Sequence, residues 1–220
     1  MAETASDRTI SDRSIAAWEI VSVTSSFLIA EWLAGALFGT KLVLAIPVAL
    51  AFVLMIVSHR LRAETLRHLG FRLDNLGGAA FVVAMPTLVA AILILFAGWM
   101  LGSLRLDLIG SRPRYLLLPI WALAQQYVMQ GFINRRAQIV CAKGWQSVLI
   151  VAVLFGLLHL PNINLVLFTF FGGALWAAIY RRIPNLFALA ISQSILAGLL
   201  AVSLPVGWLT GLRVGFKYFG

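Results

Sequence analysis

The sequence predicts an all-α, polytopic transmembrane helix bundle of about eight spans, and three observations predict it. Of the 220 residues, 61% are hydrophobic and only 11% are charged, a composition far from that of soluble domains. The apolar residues gather in several runs of roughly the 20 residues needed to cross about 30 Å of hydrocarbon as a helix. The Lys and Arg residues fall in short stretches between those runs rather than in one stripe. That distribution reads as membrane topology, and it argues against nucleic acid as the partner of a chain with formal charge +9.

The elements follow in order. Residues 1–13 are polar and predict a disordered cytoplasmic leader. Spans are expected over 15–38, 42–58, 77–101, 115–133, 147–160, 164–180 and 185–203, with a short segment over 204–212 that either crosses or stays re-entrant. The organisation is then a leader (1–13), N-terminal helices (14–114), a core (115–203) and a short final helix with its tail (204–220), with no second domain and no internal repeat. The first apolar run is long and contains Glu31, so an uncleaved anchor is expected rather than a signal peptide. In the loop over 60–76, Leu66, Leu69 and Leu73 stand at helical spacing with Arg residues between them, predicting a segment that lies along the headgroups.

Charge sets the expected orientation. With the N-terminus in the cytoplasm, Lys41, Arg105, Arg112 and Arg114 fall outside and the other thirteen of the 17 Lys and Arg residues fall inside, as the positive-inside rule favours. If 204–212 does not cross, Arg213 and Lys217 move outside and the sign of the bias is unchanged. The short loops point to a bacterial inner membrane, with the lipid bilayer as the immediate partner. Cys141 is the only cysteine, so no intrachain disulfide and no thiol-metal site is expected. The pairs Gly35/Gly39, Gly98/Gly102 and Gly207/Gly211 have the small-xxx-small spacing of close helix packing.

Polar residues inside the apolar runs carry the chemistry. Gln125, Gln126 and Gln130 stand on one span, Gln126 and Gln130 one helical turn apart, with His159 and Gln193 on two others. Such residues are costly in hydrocarbon unless used, and they are best satisfied by facing one another around a polar pocket. Each taken alone reads more readily as a structural amide or a satisfied core histidine than as part of a site. No cofactor is implied, and no metal either, since His159 has no second His, Cys or carboxylate on the surrounding spans. All eight carboxylates lie at or before Asp107.

Three motifs, Gln125-Gln126 with Gln130-Gly131, Phe155 with His159, and Gln193 with Ala197, together resemble the CAAX-protease and bacteriocin-processing (CPBP, or Abi) family of intramembrane proteases. In that family the first motif is two glutamates followed by an arginine and glycine, the second Phe-x-x-x-His, and the third His-x-x-x-Asn or Asp. The His-Leu-Pro-Asn turn ending at Asn162 and the passage from Tyr180 to Phe187 match as well, so the resemblance spans about 115–203, with a weaker likeness at Leu69-Gly70-Phe71-Arg72. It implies a glutamate and histidine that activate a water for attack on a peptide carbonyl, with the other polar residues positioning it. Those roles would fall here to His159, Gln125, Gln126, Gln130 and Gln193, with Phe155, Ala197 and Asn162 lining the pocket.

Only His159 retains a side chain able to move a proton. A glutamine orients a water but has no lone pair basic enough to take its proton, so general-base catalysis loses its agent at 125 and 126. Gln130 lacks the fixed charge an arginine offers an oxyanion. Three functions therefore stay open: a pseudoprotease that binds a peptide or membrane-protein segment, an endopeptidase working through His159, and a small membrane carrier or assembly subunit.

Overall fold

The computed structural model describes residues 5–34, 36, 41–108, 113–142 and 144–219. The pair Gly35/Gly39, Arg112 and Lys143, and the side chains of Arg8 and Lys41, lie outside what is described. The helices are α1 (Ala5–Leu28), α2 (Lys41–Leu61), α3 (Leu76–Met100), α4 (Leu118–Gln126), α5 (Arg135–Val140), α6 (Gln146–Leu157), α7 (Ile163–Arg182), α8 (Leu186–Ser203) and the short α9 (Val206–Leu209). Two π-helical segments, Ile29–Ala34 and Tyr127–Asn134, continue α1 and join α4 to α5. Among the described residues five helices are long and apolar enough to cross a membrane, and Ala45–Leu61 and Gln146–Leu157 are shorter apolar helices. Their outer faces carry large exposed apolar side chains, such as Phe81, Trp99 and Phe171, as lipid contact requires. The protein is an all-helical, integral membrane protein.

Three segments of the sequence reading take a definite form. Residues 5–13, expected to belong to a disordered leader, form the first turns of α1. The loop over 62–75 is a series of turns, in which Gly70 adopts φ 92°, outside the right-handed helical region, and tertiary hydrogen bonds hold the backbone. Leu69 is consequently buried while Leu66 and Leu73 are exposed. Within 204–212, α9 has four residues, about 6 Å of helix, so this segment is the short alternative and does not cross.

The chain forms two compact units, one of residues 1–65, 132–177 and 214–220, the other of residues 66–131 and 178–213. In the first, α1 packs on α2 and α5 around an ion cluster. Arg136 is wholly buried, with Nε 2.8 Å from Glu19 Oε2, Nη2 2.8 Å from Glu64 Oε2 and its plane 4.8 Å from the Phe132 ring centre. Ser58 Oγ accepts from Arg136 Nη2 at 2.9 Å and donates to Glu19 Oε1 at 2.6 Å. His59 Nδ1 and Arg135 complete the shell around Glu64 at 2.6 and 2.5 Å. Burial by itself would raise the Glu64 carboxyl, but hydrogen bonds from His59, Arg136 and Arg135 outweigh it and hold the group well below the usual carboxylate range. The C-terminal tail joins the same unit: Gly215 N donates to Leu160 O at 2.8 Å, and the Trp32 and Phe219 rings lie 6.4 Å apart.

In the second unit α8 packs on α3 and α4, and both of its ends are closed by side chains. Asn185 caps the start, its Oδ1 accepting from Ala188 N at 2.9 Å, while its Nδ2 donates to Arg72 O and Asn75 Oδ1, each at 2.8 Å. Leu186 N donates to Gly70 O at 2.8 Å and Tyr180 Oη donates to Leu69 O at 2.9 Å, which pins the 69–75 turns. At the far end four carbonyls would lack partners. Arg105 Nη2 takes those of Ala201 and Leu204, Arg105 N takes that of Val202, and Ser103 Oγ takes that of Ser203.

Gly98 lets α3 approach this same end. A Cβ added there would stand 2.5 Å from Ser203 O and 2.8 Å from Ser203 Cβ, and backbone cannot step aside cheaply. Gly98→Ala is expected to cost about 1–3 kcal/mol, the range for overpacking, read as a lower unfolding midpoint in detergent. Gly207→Ala, with nothing within 4 Å of the added atom, is the control expected to leave the midpoint unchanged. Equal midpoints for both variants would show that α3 and α8 do not meet at Gly98.

Candidate functional site

The second unit brings three of the predicted residues together. Gln125 and Gln126 end α4, and Gln193 stands on the facing side of α8. Gln126 Nε2 donates to Gln193 Oε1 at 2.8 Å, and Gln193 Nε2 donates to Gln125 Oε1 at 2.5 Å. The three amides thus form one chain of hydrogen bonds. Inverting all three reverses its direction without breaking a bond. Gln126 is 1% exposed, yet its Oε1 has no hydrogen-bond partner among the described residues. A buried acceptor left unmet costs about 1–3 kcal/mol, which a water or a ligand N–H would recover.

Helix geometry explains where Gln130 goes. Beyond Gln126 the chain winds as a π-helix over Tyr127–Asn134, whose i→i+5 bonds take more than four residues per turn. Gln130 therefore falls short of a full turn from Gln126 rather than standing beneath it, and it is completely buried. Gly131 permits this winding against the loop, since a Cβ there would meet Tyr127 Cδ2 at 3.0 Å and Leu69 O at 3.5 Å. Ala197 is one turn beyond Gln193 on α8 and lines a cavity of about 380 Å³ with Leu118, Ala201 and Leu209.

His159, Phe155 and Asn162 belong to the first unit. His159 Nδ1 lies 2.6 Å from Phe155 O, and since a carbonyl only accepts, Nδ1 carries the proton and a neutral ring keeps its basic lone pair at Nε2. The Phe155 ring meets the imidazole edge to face at 4.9 Å and is held in turn by Trp176 at 6.2 Å. Close packing at Gly173 sets that ring, because a Cβ there would stand 3.1 Å from Phe155 Cδ1. Asn162 N donates to His159 O at 3.1 Å, and Asn162 Oδ1 accepts from Leu165 N at 3.2 Å. Asn162 is thus the cap of α7 and fixes the turn after the histidine.

Sequence reasoning passed over two groups. Thr87 and Ser192, both buried, join α3 to α8 at 2.7 Å through their hydroxyls beside Gln193, with Thr87 donating onward to Val83 O. The Glu19, Glu64 and Arg136 cluster was also missed, although a carboxylate inside the first apolar run was the available signal. Among the described residues no three His, Cys, Asp or Glu side chains gather as a metal donor set.

Gln193→Leu tests whether the amide chain holds α4 to α8. The variant keeps volume, removes both bonds and leaves the Gln125 and Gln126 groups unmet. The expected loss is about 1–2 kcal/mol, since side-chain hydrogen bonds in bundles average below 1 kcal/mol each. An unchanged unfolding midpoint in detergent would show that the chain contributes nothing to stability.

Comparison with protein families places a match over residues 94–199, to the family described as type II CAAX prenyl endopeptidase Rce1-like. The matched segment holds Gln125, Gln126, Gln130, Phe155, His159, Gln193 and Ala197. Comparison with curated proteins and with solved structures gives no match. With apolar helices of spanning length around those motifs, the protein is a CAAX-protease-like membrane protein, similar over residues 94–199 to the type II CAAX prenyl endopeptidase family.

Proposed function

We propose that the protein is a pseudoprotease, one that binds a peptide or membrane-protein segment at the amides of α4 and α8 and does not cleave it. One observation carries the reading: the positions that would supply proton transfer hold glutamines, and Gln125, Gln126 and Gln193 hydrogen-bond one another. A carboxamide at neutral pH neither takes a proton from water nor carries charge, so the general-base contribution of about 10²–10⁴ is absent. The open Gln126 Oε1 still offers an acceptor to a backbone N–H, which is what binding a peptide segment requires. We place the N-terminus in the cytoplasm of a bacterial inner membrane. Because α9 is too short to cross, Arg213 and Lys217 join the outer side, and eleven inner against six outer cations support the same orientation.

A second reading, an endopeptidase that uses His159, is favoured by the tautomer of its ring: the Phe155 carbonyl holds the proton on Nδ1 and leaves Nε2 able to act as a base. The two readings separate in one experiment. Membrane partners are captured by photo-crosslinking and co-purification with the native protein, Gln193→Leu and His159→Ala. The pseudoprotease reading expects an intact partner retained by the native chain and released by Gln193→Leu. A shortened partner on the native chain, full length on His159→Ala, would overturn it.

A further inference from the structure

The cavity that Ala197 lines is not explained by the binding of a peptide segment. It measures about 380 Å³, within the range of small-molecule pockets. Its walls are apolar: Leu118 from α4, Ala197 and Ala201 from α8, and Leu209 from α9. Two polar side chains border it, Arg105 and Tyr115. The membrane-length helices Leu76–Met100 and Leu186–Ser203 end just before Arg105 and Leu204, so the cavity sits at the depth where hydrocarbon gives way to headgroups.

Arg105 is the informative residue. Its Nη2 is consumed by the carbonyls of Ala201 and Leu204, at 3.1 and 2.9 Å. Nε and Nη1 have no acceptor, and no carboxylate pairs with the guanidinium, among the described residues. Capping a helix therefore accounts for one nitrogen of three and for none of the net charge. A half-buried cation without a counter-ion is costly, and a fixed planar guanidinium is suited to phosphate.

We propose that this cavity is a binding site for an anionic phospholipid of the bilayer, the phosphate on Arg105 Nε and Nη1 and an acyl segment against Leu118, Ala197 and Leu209. An apolar wall next to one uncompensated cation at headgroup depth matches that molecule on both counts. A free phosphate would leave the wall uncovered, and a zwitterionic lipid would leave the charge only partly met.

The test is native mass spectrometry of the delipidated full-length protein, titrated separately with dioleoylphosphatidylglycerol, dioleoylphosphatidylcholine and inorganic phosphate. The native chain is expected to bind the glycerol lipid about fivefold more tightly than the choline lipid, the effect of one well-placed cation, and not to retain phosphate alone. Arg105→Gln, which can still donate to an α8 carbonyl, should lose the preference, and Arg105→Lys should keep part of it. Ala201→Phe, which fills the cavity, should weaken both lipids. Equal affinity of the native chain for the two lipids, or a preference that survives Arg105→Gln, would overturn the proposal. So would tight retention of inorganic phosphate.

Discussion

Arg136→Met is expected to destabilise the protein by about 3–5 kcal/mol, the cost of removing one partner from a buried ion pair. The methionine fills much of the volume and retains the contact with Phe132, so the loss is electrostatic. Glu19 and Glu64 would lose the cation they share, at 2.8 Å each, and Ser58 would lose its donor. Glu64 keeps Arg135 and His59, and Glu19 keeps Arg62 at 3.4 Å, which holds the expected cost inside that range. A double variant with Glu19→Gln should recover part of the loss, because it removes one of the stranded charges. Simple additivity of the two substitutions would show that the side chains do not interact.

The same cluster predicts an acid limit. Glu64 is depressed in the folded protein, so its contribution is fully present above the unfolded carboxylate value of about 4.3 and is lost as pH falls below it toward the folded value. Unfolding midpoints of the native protein in detergent should therefore fall below about pH 4.3. Arg136→Met should show a shallower acid fall, since one of the hydrogen bonds depressing Glu64 is gone. Parallel acid branches for the two proteins would show that Arg136 does not set that carboxyl.

The second large effect is a gain of chemistry. A variant carrying Gln125→Glu, Gln126→Glu, Gln130→Arg, Gln193→His and Ala197→Asn is expected to cleave membrane-protein substrates in proteoliposomes, and the native protein is expected to cleave none. Restored general-base catalysis alone is worth about 10²–10⁴ in rate. Adding His159→Ala to that variant should abolish the gain, which would separate designed chemistry from a contaminant. Cleavage by the native protein that disappears in His159→Ala would instead establish a working protease that relies on one imidazole. Introducing charge at Gln130, which is fully buried, has a cost of its own, so recovery of folded variant is measured alongside activity.

Long-range information was legible where the physics is local. A run such as 77–101 announces a span by composition alone, and Leu76–Met100 follows it closely; polar amides within such runs announce that something must satisfy them. The partners they find are not local. Nothing in the spacing of Gln125, Gln126 and Gln193 distinguishes an amide that bonds another amide from one that faces water. The π winding after Gln126, which displaces Gln130, has no marker in the residue pattern. The leucine spacing over 60–76 shows the same limit. Periodicity reports a helix only when the backbone can follow it, and Gly70 at φ 92°, held by Leu186 N on its carbonyl, breaks the repeat.

By itself the sequence determined the all-helical membrane class, because hydrocarbon length and hydropathy act residue by residue, and it displayed the motifs that carry the family likeness. It also determined that the proton-transfer side chains at 125, 126 and 193 are amides. Only the tertiary structure decided which amides meet, that Arg136 gathers Glu19 and Glu64 from distant parts of the chain, and that Arg105 closes α8 with two nitrogens to spare. Hydrogen bonds and ion pairs depend on distances of about 3 Å between residues far apart in the chain, and only packed helices set those distances.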